Sequence, residues 1–440
     1  MNRFLGEEKL KKQAEIGFPK GVTKITDGVY FALGYGGSTC TLVEGENECI
    51  LVDTLNAAVP AEEALAEFRK YTDKPIKHII YTHYFHFDHT SGAGVFATEG
   101  CPIIGYKTPY PQYGGTDLLK NAYMMRGGKQ FGLALNAEES ICIGIGPRND
   151  NNREKKPLKP NQFFTEKQVT MNLGGVEVVL TAAPGETDDQ LFVWFPKQKV
   201  LCCGDNYYES WPNLYAIRGG QYRDVYSWVQ ALENMLKLDA EYLLPGHTRA
   251  VVGKDVVKET LTNYHDAIEY VLVETLKGME QGMTTDQLAE TVVLPEKWAK
   301  LPYLQEYYGT VAWTVRSIYG GYLGWFDGNP TNLGAMKIKD KAEHTIRMMG
   351  GADAVLAEIR RGLAEEDEQW AVELCDVLIN AGQLKEDAVT CKAAGLLTLG
   401  RMQTSANARH YYIATANQLL GKGKAVGLNG AAADAEKKSE

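Results

Sequence analysis

Residues 82–89 have the sequence Thr-His-Tyr-Phe-His-Phe-Asp-His and follow an apolar run, residues 76–81, that is typical of a β-strand. Three of the eight histidines in the 440-residue chain lie in this stretch. Its four potential metal ligands are His83, His86, Asp88 and His89. Neutral imidazole and carboxylate are the ligands that zinc takes when one position stays open for water. The stretch therefore predicts a catalytic metal site at a strand end, in preference to a polar loop that is histidine-rich by chance.

Further potential ligands follow apolar runs later in the chain. Glu186 lies in the loop after a strand that ends at residue 183, Asp205 lies in the segment Gly-Asp-Asn after the apolar run 200–203, and His247 ends the segment Leu-Pro-Gly-His. Binding loops commonly begin where strands end, so these residues favour a site with more than one metal. Taken singly, each is as easily a turn residue or a helix cap. Asp53, after another apolar run, either accepts a hydrogen bond from a ligand histidine or is a turn aspartate.

The chain has two parts that differ in their pattern of apolar residues and turn signals. Residues 21–252 contain short strand-like runs, turn signals and interleaved helical segments, a pattern that predicts the α/β class and an αββα sandwich. From Asp255 onward, apolar residues recur with helical spacing. We therefore expect a catalytic domain over residues 1–254 and an all-α domain over 255–421. Residues 422–440 are rich in Gly, Ala and Lys, which predicts a disordered tail.

The composition excludes several classes of protein. A net charge of −10 argues against nucleic-acid binding, which needs a basic face. No apolar run approaches the roughly 18 residues of a membrane span, and the first residues lack the apolar core of a signal peptide. The eight cysteines are scattered and suit neither a disulfide framework nor a redox pair. These observations predict a cytoplasmic protein.

The order of the metal-loop, Glu186, Asp205 and His247 segments resembles the metallo-β-lactamase superfamily. More closely, the chain resembles the alkylsulfatase branch of that superfamily over nearly its whole length. The most specific likeness is in the helical part, where residues 307–311 (Tyr-Tyr-Gly-Thr-Val) and 322–330 (Tyr-Leu-Gly-Trp-Phe-Asp-Gly-Asn-Pro) look like the branch's dimerisation domain. The resemblance implies a metallo-β-lactamase αββα sandwich followed by an all-α dimerisation domain, and a homodimer.

The resemblance also implies a dinuclear site with two zinc ions (Zn2+) per subunit. His83, His86 and Glu186 would bind the first zinc ion. Asp88, His89 and His247 would bind the second, and Asp205 would bridge the two.

Three residues would bind the substrate. Asn213 and Arg218 resemble the residues that hold the sulfate group, and the planar fork of an arginine suits an oxyanion. Tyr308 would close the pocket. Arg218 in a surface ion pair and Tyr308 as a packing residue are the alternatives. The residues expected to act in catalysis are Asp88, Asp205 and Arg218.

The chain departs from the branch's pattern at two places. The usual spacing is HxHxDH, whereas this chain has HxxHxDH. Either the strand end bulges and His83 remains a ligand, or Tyr84 takes its place and the first site is weakened. In addition, Pro212 occupies a position where the branch often has a histidine, which leaves the proton donor to the leaving group open.

The expected activity is zinc-dependent hydrolysis of a small-molecule alkyl sulfate ester to an alcohol and sulfate. The sequence does not decide between attack at sulfur and attack at carbon. One alternative is a hydrolase of the same fold that acts on another ester, a phosphodiester or a lactone, since one fold hosts many reactions. The other is a catalytically silent binding protein whose altered loop has lost the first metal.

Overall fold

A computed structural model describes residues 2–110, 116–148, 154–422, 425–426 and 432–433. Most of the tail predicted over residues 422–440 therefore lies outside the described residues. Two sheets dominate the first three-fifths of the chain, and helices dominate the rest. None of the described helices is long and apolar enough to cross a membrane.

The first sheet contains seven described strands, which lie side by side in chain order. They are β1 (Gly21–Thr26), β2 (Val29–Leu33), β3 (Cys40–Glu44), β4 (Cys49–Val52), β5 (Ile76–Ile80), β6 (Ile103–Tyr106) and β7 (Gln162–Phe164). Strands β1 to β4 pair antiparallel, whereas β4 to β7 pair parallel. The parallel strands β4 and β5 consequently end at the same edge of the sheet, which is the edge that carries Asp53 and the metal loop.

The second sheet contains six described strands, again in chain order. They are β8 (Gln168–Leu173), β9 (Val176–Ala182), β10 (Leu191–Phe195), β11 (Val200–Gly204), β12 (Tyr242–Pro245) and β13 (Val251–Val252). Neighbours pair antiparallel except β11 and β12, which are parallel. These two strands therefore present Asp205 and His247 at one common edge. A further short pair, β14 (Ala425–Val426) and β15 (Ala432–Ala433), lies near the end of the chain.

The helices follow in chain order. They are α1 (Leu5–Ile16), α2 (Ala58–Phe68), α3 (Ala93–Phe96), α4 (Lys120–Gln130), α5 (Ala137–Ser140), α6 (Val225–Leu236), α7 (Lys254–Glu280), α8 (Thr285–Thr291), α9 (Glu296–Ala299), α10 (Val311–Leu323), α11 (Ile338–Met348), α12 (Ala352–Ala364), α13 (Glu368–Ala381), α14 (Lys385–Met402) and α15 (Ala406–Leu419). Short 3-10 turns cover Thr116–Leu119, Pro302–Leu304 and Pro330–Asn332.

The two sheets pack face to face around a shared apolar core. Phe31 and Ile80 of the first sheet belong to the same buried cluster as Val193 and Phe195 of the second. The outer face of the first sheet is covered by α2 and α3, and the outer face of the second by α6 and α7. The predicted αββα sandwich is confirmed.

The described residues form two compact units. The sandwich unit comprises Lys12–Thr116 and Cys142–Gly324, and the helical unit comprises the residues up to Lys11, Asp117–Ile141 and those from Trp325 onward. Helices α7 to α10 thus pack with the sandwich, because residues such as Ile268 and Val315 join the core on the outer face of its second sheet. The domain boundary after residue 254 was predicted from the change to helical spacing of apolar residues, and it stays a prediction.

The helical unit has its own core and a buried ion pair. Residues of α11 to α14, among them Ile359 and Leu374, form one apolar cluster. Glu7 of α1 pairs with Arg409 of α15 and Arg401 of α14, at 3.0 Å each. These cations and Lys11 outweigh burial and lower the pKa of Glu7 to about 2. The ion pair attaches the first helix of the chain to its last described helices.

Candidate metal centre

Loops at the ends of β4, β5, β11 and β12 bring the predicted ligands together. The ligand atoms of His83, His86 and Asp205 lie within 4.8 Å of one another, and so do those of Asp88, His89 and His247. We call His83 and His86 the first ligand group, and Asp88, His89 and His247 the second ligand group.

Asp205 contacts both groups. Its Oδ2 lies 3.6 Å from His83 Nε2 and 3.3 Å from His247 Nε2, and its Oδ1 lies 3.5 Å from His89 Nε2. The carboxylate is thus placed between the groups, as a bridging ligand would be.

The structure places His83 in the site and Tyr84 outside it. The His83 side chain is fully buried, whereas the Tyr84 ring is half-buried and packs against Phe85 and Phe163, at centroid distances of 4.9 and 5.8 Å. The extra residue of the HxxHxDH stretch is accommodated in the turn at residues 84–85. The histidine at the strand end therefore keeps its inward direction despite the insertion.

Asp53 orients the loop and one of its histidines. Its Oδ2 accepts hydrogen bonds from His89 Nδ1 at 2.9 Å and from the Thr82 hydroxyl at 2.7 Å, and its Oδ1 accepts one from the Thr82 backbone N–H. The residue is buried in a left-handed conformation, φ 56°, that aspartate tolerates better than most residues. Because Nδ1 of His89 donates to Asp53, Nε2 is left to bind a metal. Asp53 is thus the supporting acceptor and not a plain turn residue.

Backbone contacts fix His247 in the same way. Its Nδ1 donates to the carbonyl of Gly37 at 2.5 Å, which directs Nε2 toward Asp205 and Asp88. The preceding Gly246 is needed for close packing, because a Cβ there would collide with Asp205 Oδ1 and lie 2.9 Å from His89 Cε1.

Buried atoms of the site lack hydrogen-bond partners among the described residues. They are Nε2 of His83 and of His89, Oδ1 of Asp205 and Oε2 of Glu186. Buried polar atoms without a partner are rare in folded proteins and indicate an ion or water at that place. Nitrogen and carboxylate donors that converge around a common centre fit divalent metal ions.

Glu186 lies beside the first group and is held by an arginine. Its Oε1 is 2.8 Å from Arg223 Nη2 and 3.8 Å from His86 Nδ1. Arg223 also donates to the backbone carbonyl of Asn213, and it is buried. No role was predicted for Arg223 from the sequence. It lies one residue before the N-cap Asp224 of α6.

The residues predicted for substrate binding lie close to the first group. Arg218 Nη2 is 3.2 Å from His86 Nε2, which places this guanidinium at the metal loop. Asn213 is buried, and its Oδ1 has no partner among the described residues. Tyr308 is also buried, and its backbone N–H donates to Ser210 Oγ. The next residue, Gly309, packs directly on the carbonyl of Pro212, where a side chain would collide.

The two ligand groups differ in the pKa values of their histidines. Burial, aided by His89, lowers the pKa of His83 to about 4, and burial, His83 and Arg218 lower that of His86. Burial acts in the same direction on His247, but the carboxylates of Asp205 and Asp88 outweigh it and raise the pKa to about 10. The pKa of His89 is raised in the same way. Burial raises the pKa of Glu186 to about 7, against the opposing effect of Arg223.

Known families account for most of the chain. Residues 33–247 match the metallo-β-lactamase superfamily, and residues 284–422 match the alkyl sulfatase dimerisation family. A linear primary-alkylsulfatase from Pseudomonas sp. is 35% identical over 392 residues, which are 87% of this chain and 74% of the relative. The chain belongs to the alkylsulfatase branch of the metallo-β-lactamase superfamily. The family and fold predicted from the sequence are confirmed.

Two other similar proteins are also named as alkylsulfatases. An alkyl/aryl-sulfatase from Saccharomyces cerevisiae is 29% identical and covers 93% of this chain and 65% of its own length. The structure of a stereoselective inverting sec-alkylsulfatase from Pseudomonas sp. superposes with a TM-score of 0.85 at 27% identity, covering 93% of this chain and 67% of that one. The chain thus spans about two thirds to three quarters of the length of these alkylsulfatases.

Proposed function

We propose that the protein hydrolyses alkyl sulfate esters to an alcohol and sulfate, with two zinc ions in each subunit. The observation that carries the proposal is the convergence of two ligand groups on Asp205, with Arg218 in contact with His86 of the first group. Relatives named alkylsulfatases supply the reaction class.

The first group would hold one metal through His83 and His86, with Glu186 next to it. The second group, Asp88, His89 and His247, would hold the other, with Asp205 shared. Zinc ions bound there would supply Lewis acidity and a water-derived nucleophile at neutral pH.

The chain's own residues bind and orient the sulfate. Arg218 offers a guanidinium whose two parallel donors match two sulfate oxygens. Burial lowers its pKa, with Arg223 adding to the effect, yet an arginine stays charged at neutral pH. Asn213 adds a buried amide. Burial, aided by the nearby Glu186, raises the pKa of Tyr308, so its hydroxyl stays protonated and can donate.

Zinc analysis combined with steady-state kinetics tests the proposal. We expect about two zinc ions per chain and turnover of medium-chain alkyl sulfates such as decyl sulfate. In Arg218→Ala, kcat/KM for the sulfate ester should fall about 10²- to 10³-fold, because a charge-stabilising donor is lost, while the zinc content stays at two. A metal-free protein would indicate a silent binding protein instead, and preferential turnover of bis(p-nitrophenyl) phosphate would indicate a phosphodiesterase.

We also propose a homodimer that forms through the helical unit. Between Trp325 and Ile338 the chain carries large apolar side chains in the open: Trp325 is 77% exposed, Ile338 71% and Leu333 63%. This segment lies inside the region that matches the alkyl sulfatase dimerisation family, so a second copy is the expected cover. Light scattering should show a dimer for the unaltered protein and a monomer for Trp325→Asp/Ile338→Asp. A monomer in both would contradict the proposal.

A cytoplasmic location also remains a proposal. It is supported by the eight cysteines, none of which forms a disulfide in the structure. Fractionation of the source cells tests it, and recovery of the protein outside the cytoplasm would refute it.

A further inference from the structure

The lengthened metal loop is bound to the loop before β10 at two points. The backbone N–H of Leu191 donates to the carbonyl of Thr82 at 2.8 Å. Two residues earlier in the β10 loop, Asp189 Oδ2 accepts hydrogen bonds from the backbone N–H groups of Tyr84 at 2.6 Å and Phe85 at 3.1 Å. The Asp189 side chain is fully buried.

These contacts fall on the residues that the insertion adds. A turn of this kind leaves consecutive backbone N–H groups without a partner in the strand, and a buried N–H without a partner is costly. One carboxylate oxygen satisfies both groups with charge-assisted hydrogen bonds. The turn is thereby held in the conformation that sends the Tyr84 ring toward Phe163 and leaves the flanking histidines directed into the site.

We propose that Asp189 is the positioning residue that lets the lengthened loop keep both His83 and His86 in the first ligand group. The expected effect on metal binding rests on the proposed dinuclear site, whereas the effect on the loop does not. Removal of the carboxylate releases the turn, so one of the two histidines loses its place, while the second group, which Asp53 and Gly37 hold, is unaffected.

Three variants separate this role from a general loss of stability. Asp189→Ala removes the acceptor. Asp189→Asn keeps one oxygen that can accept both N–H groups and should restore metal binding. Asp188→Ala is the matched control, since it removes a carboxylate from the adjacent residue, which interacts with Asp224.

The first measurement is hydrogen exchange of peptides that contain residues 83–87, carried out on metal-free protein. We expect faster exchange in Asp189→Ala than in Asp188→Ala or Asp189→Asn. Equal exchange in all three would overturn the positioning role, whatever the metal content of the protein.

The second measurement is zinc affinity and the visible spectrum of the cobalt(II)-substituted protein. In Asp189→Ala, one of the two zinc ions should bind about 10- to 100-fold more weakly, and the cobalt spectrum should lose one component. Asp188→Ala and Asp189→Asn should keep both zinc ions at their original affinities and both components of the cobalt spectrum. Two unchanged equivalents in Asp189→Ala would overturn the inference while leaving the proposed function intact. An unaltered protein that binds no metal, but whose loop still depends on Asp189 in hydrogen exchange, would overturn the proposed function and confine Asp189 to shaping the loop.

Discussion

The two ligand groups share Asp205 but differ in the charges around them. The first group borders on cations: Arg218 contacts His86, and Arg223 pairs with the neighbouring Glu186. The second group is rich in carboxylates, because its own Asp88 lies 3.4 Å from His247 and Asp53 binds His89 from outside the group. A cation is therefore stabilised more strongly by the second group, and an anion by the surroundings of the first. The difference suggests that the second group binds its metal more tightly, while the first faces the sulfate.

Removal of a ligand from each group gives the largest expected effect. His247→Ala should abolish binding of the tighter metal and lower kcat/KM by more than about 100-fold, since even the loss of a partner of a ligand costs about 10- to 100-fold in affinity or activity. His83→Ala should leave one zinc ion bound. Zinc analysis after dialysis measures the metal content of both variants. His344 is exposed, and His344→Ala is the control that should keep two zinc ions. The ion that remains in His247→Ala would be the weaker one, so equal affinities of the remaining ions in the two ligand variants would contradict the ranking of the groups.

Proton release on metal binding sharpens the comparison. In the metal-free protein His247, with a pKa of about 10, carries a proton at pH 7, whereas His83, with a pKa of about 4, does not. A metal must displace the proton from His247, so affinity for the second group should rise by about tenfold per pH unit for each proton released between pH 6 and 9. The first group should show a shallower dependence. Titration calorimetry in buffers of different ionisation enthalpy counts the protons, and pH-independent binding at both groups would refute the assignment.

The spacing of ligands predicted one part of the site better than the other. His86, Asp88 and His89 lie in the usual register, and Asp205 and His247 follow parallel strands that end at one edge, so their meeting could be inferred. The choice between His83 and Tyr84 could not, because it depends on a carboxylate at Asp189, about a hundred residues away. Arg223 was missed for the same reason: it acts through Glu186 and a backbone carbonyl, and no local pattern shows such contacts.

The fold was predicted to a similar extent. Alternating strands and turns indicated the sandwich, because apolar runs that end in turns are local features. The association of α7 to α10 with that sandwich is not visible in the sequence. An amphipathic helix shows that it has an apolar face but not which partner covers it.

The hydrogen bond from His89 to Asp53 offers a smaller test of the second group. Asp53→Asn removes one negative charge and weakens the acceptor of His89 Nδ1, so zinc affinity at the second group should fall about 10- to 100-fold. Asp239→Asn removes an equal charge from an exposed surface pair with Lys199 and should leave affinity unchanged. Competition with a chelator of known affinity measures both. A loss confined to the first group would show that Asp53 supports the loop as a whole and not His89.

The cations beside the first group are expected to have the smallest effect on zinc affinity. The sign of that effect shows whether Arg218 opposes or supports the bound metal. Arg218 lowers the pKa of His86, and by the same repulsion it opposes a metal ion there. In Arg218→Ala the first zinc ion should therefore bind a few-fold more tightly, about 1 kcal/mol or less for a pair that solvent partly screens, even though sulfate ester turnover falls. Arg218→Lys, which keeps the charge but not the planar fork, should leave zinc affinity unchanged and lower turnover. Weaker zinc binding in Arg218→Ala would mean that the arginine supports the metal loop, and the division into a metal-binding and a sulfate-facing group would then fail.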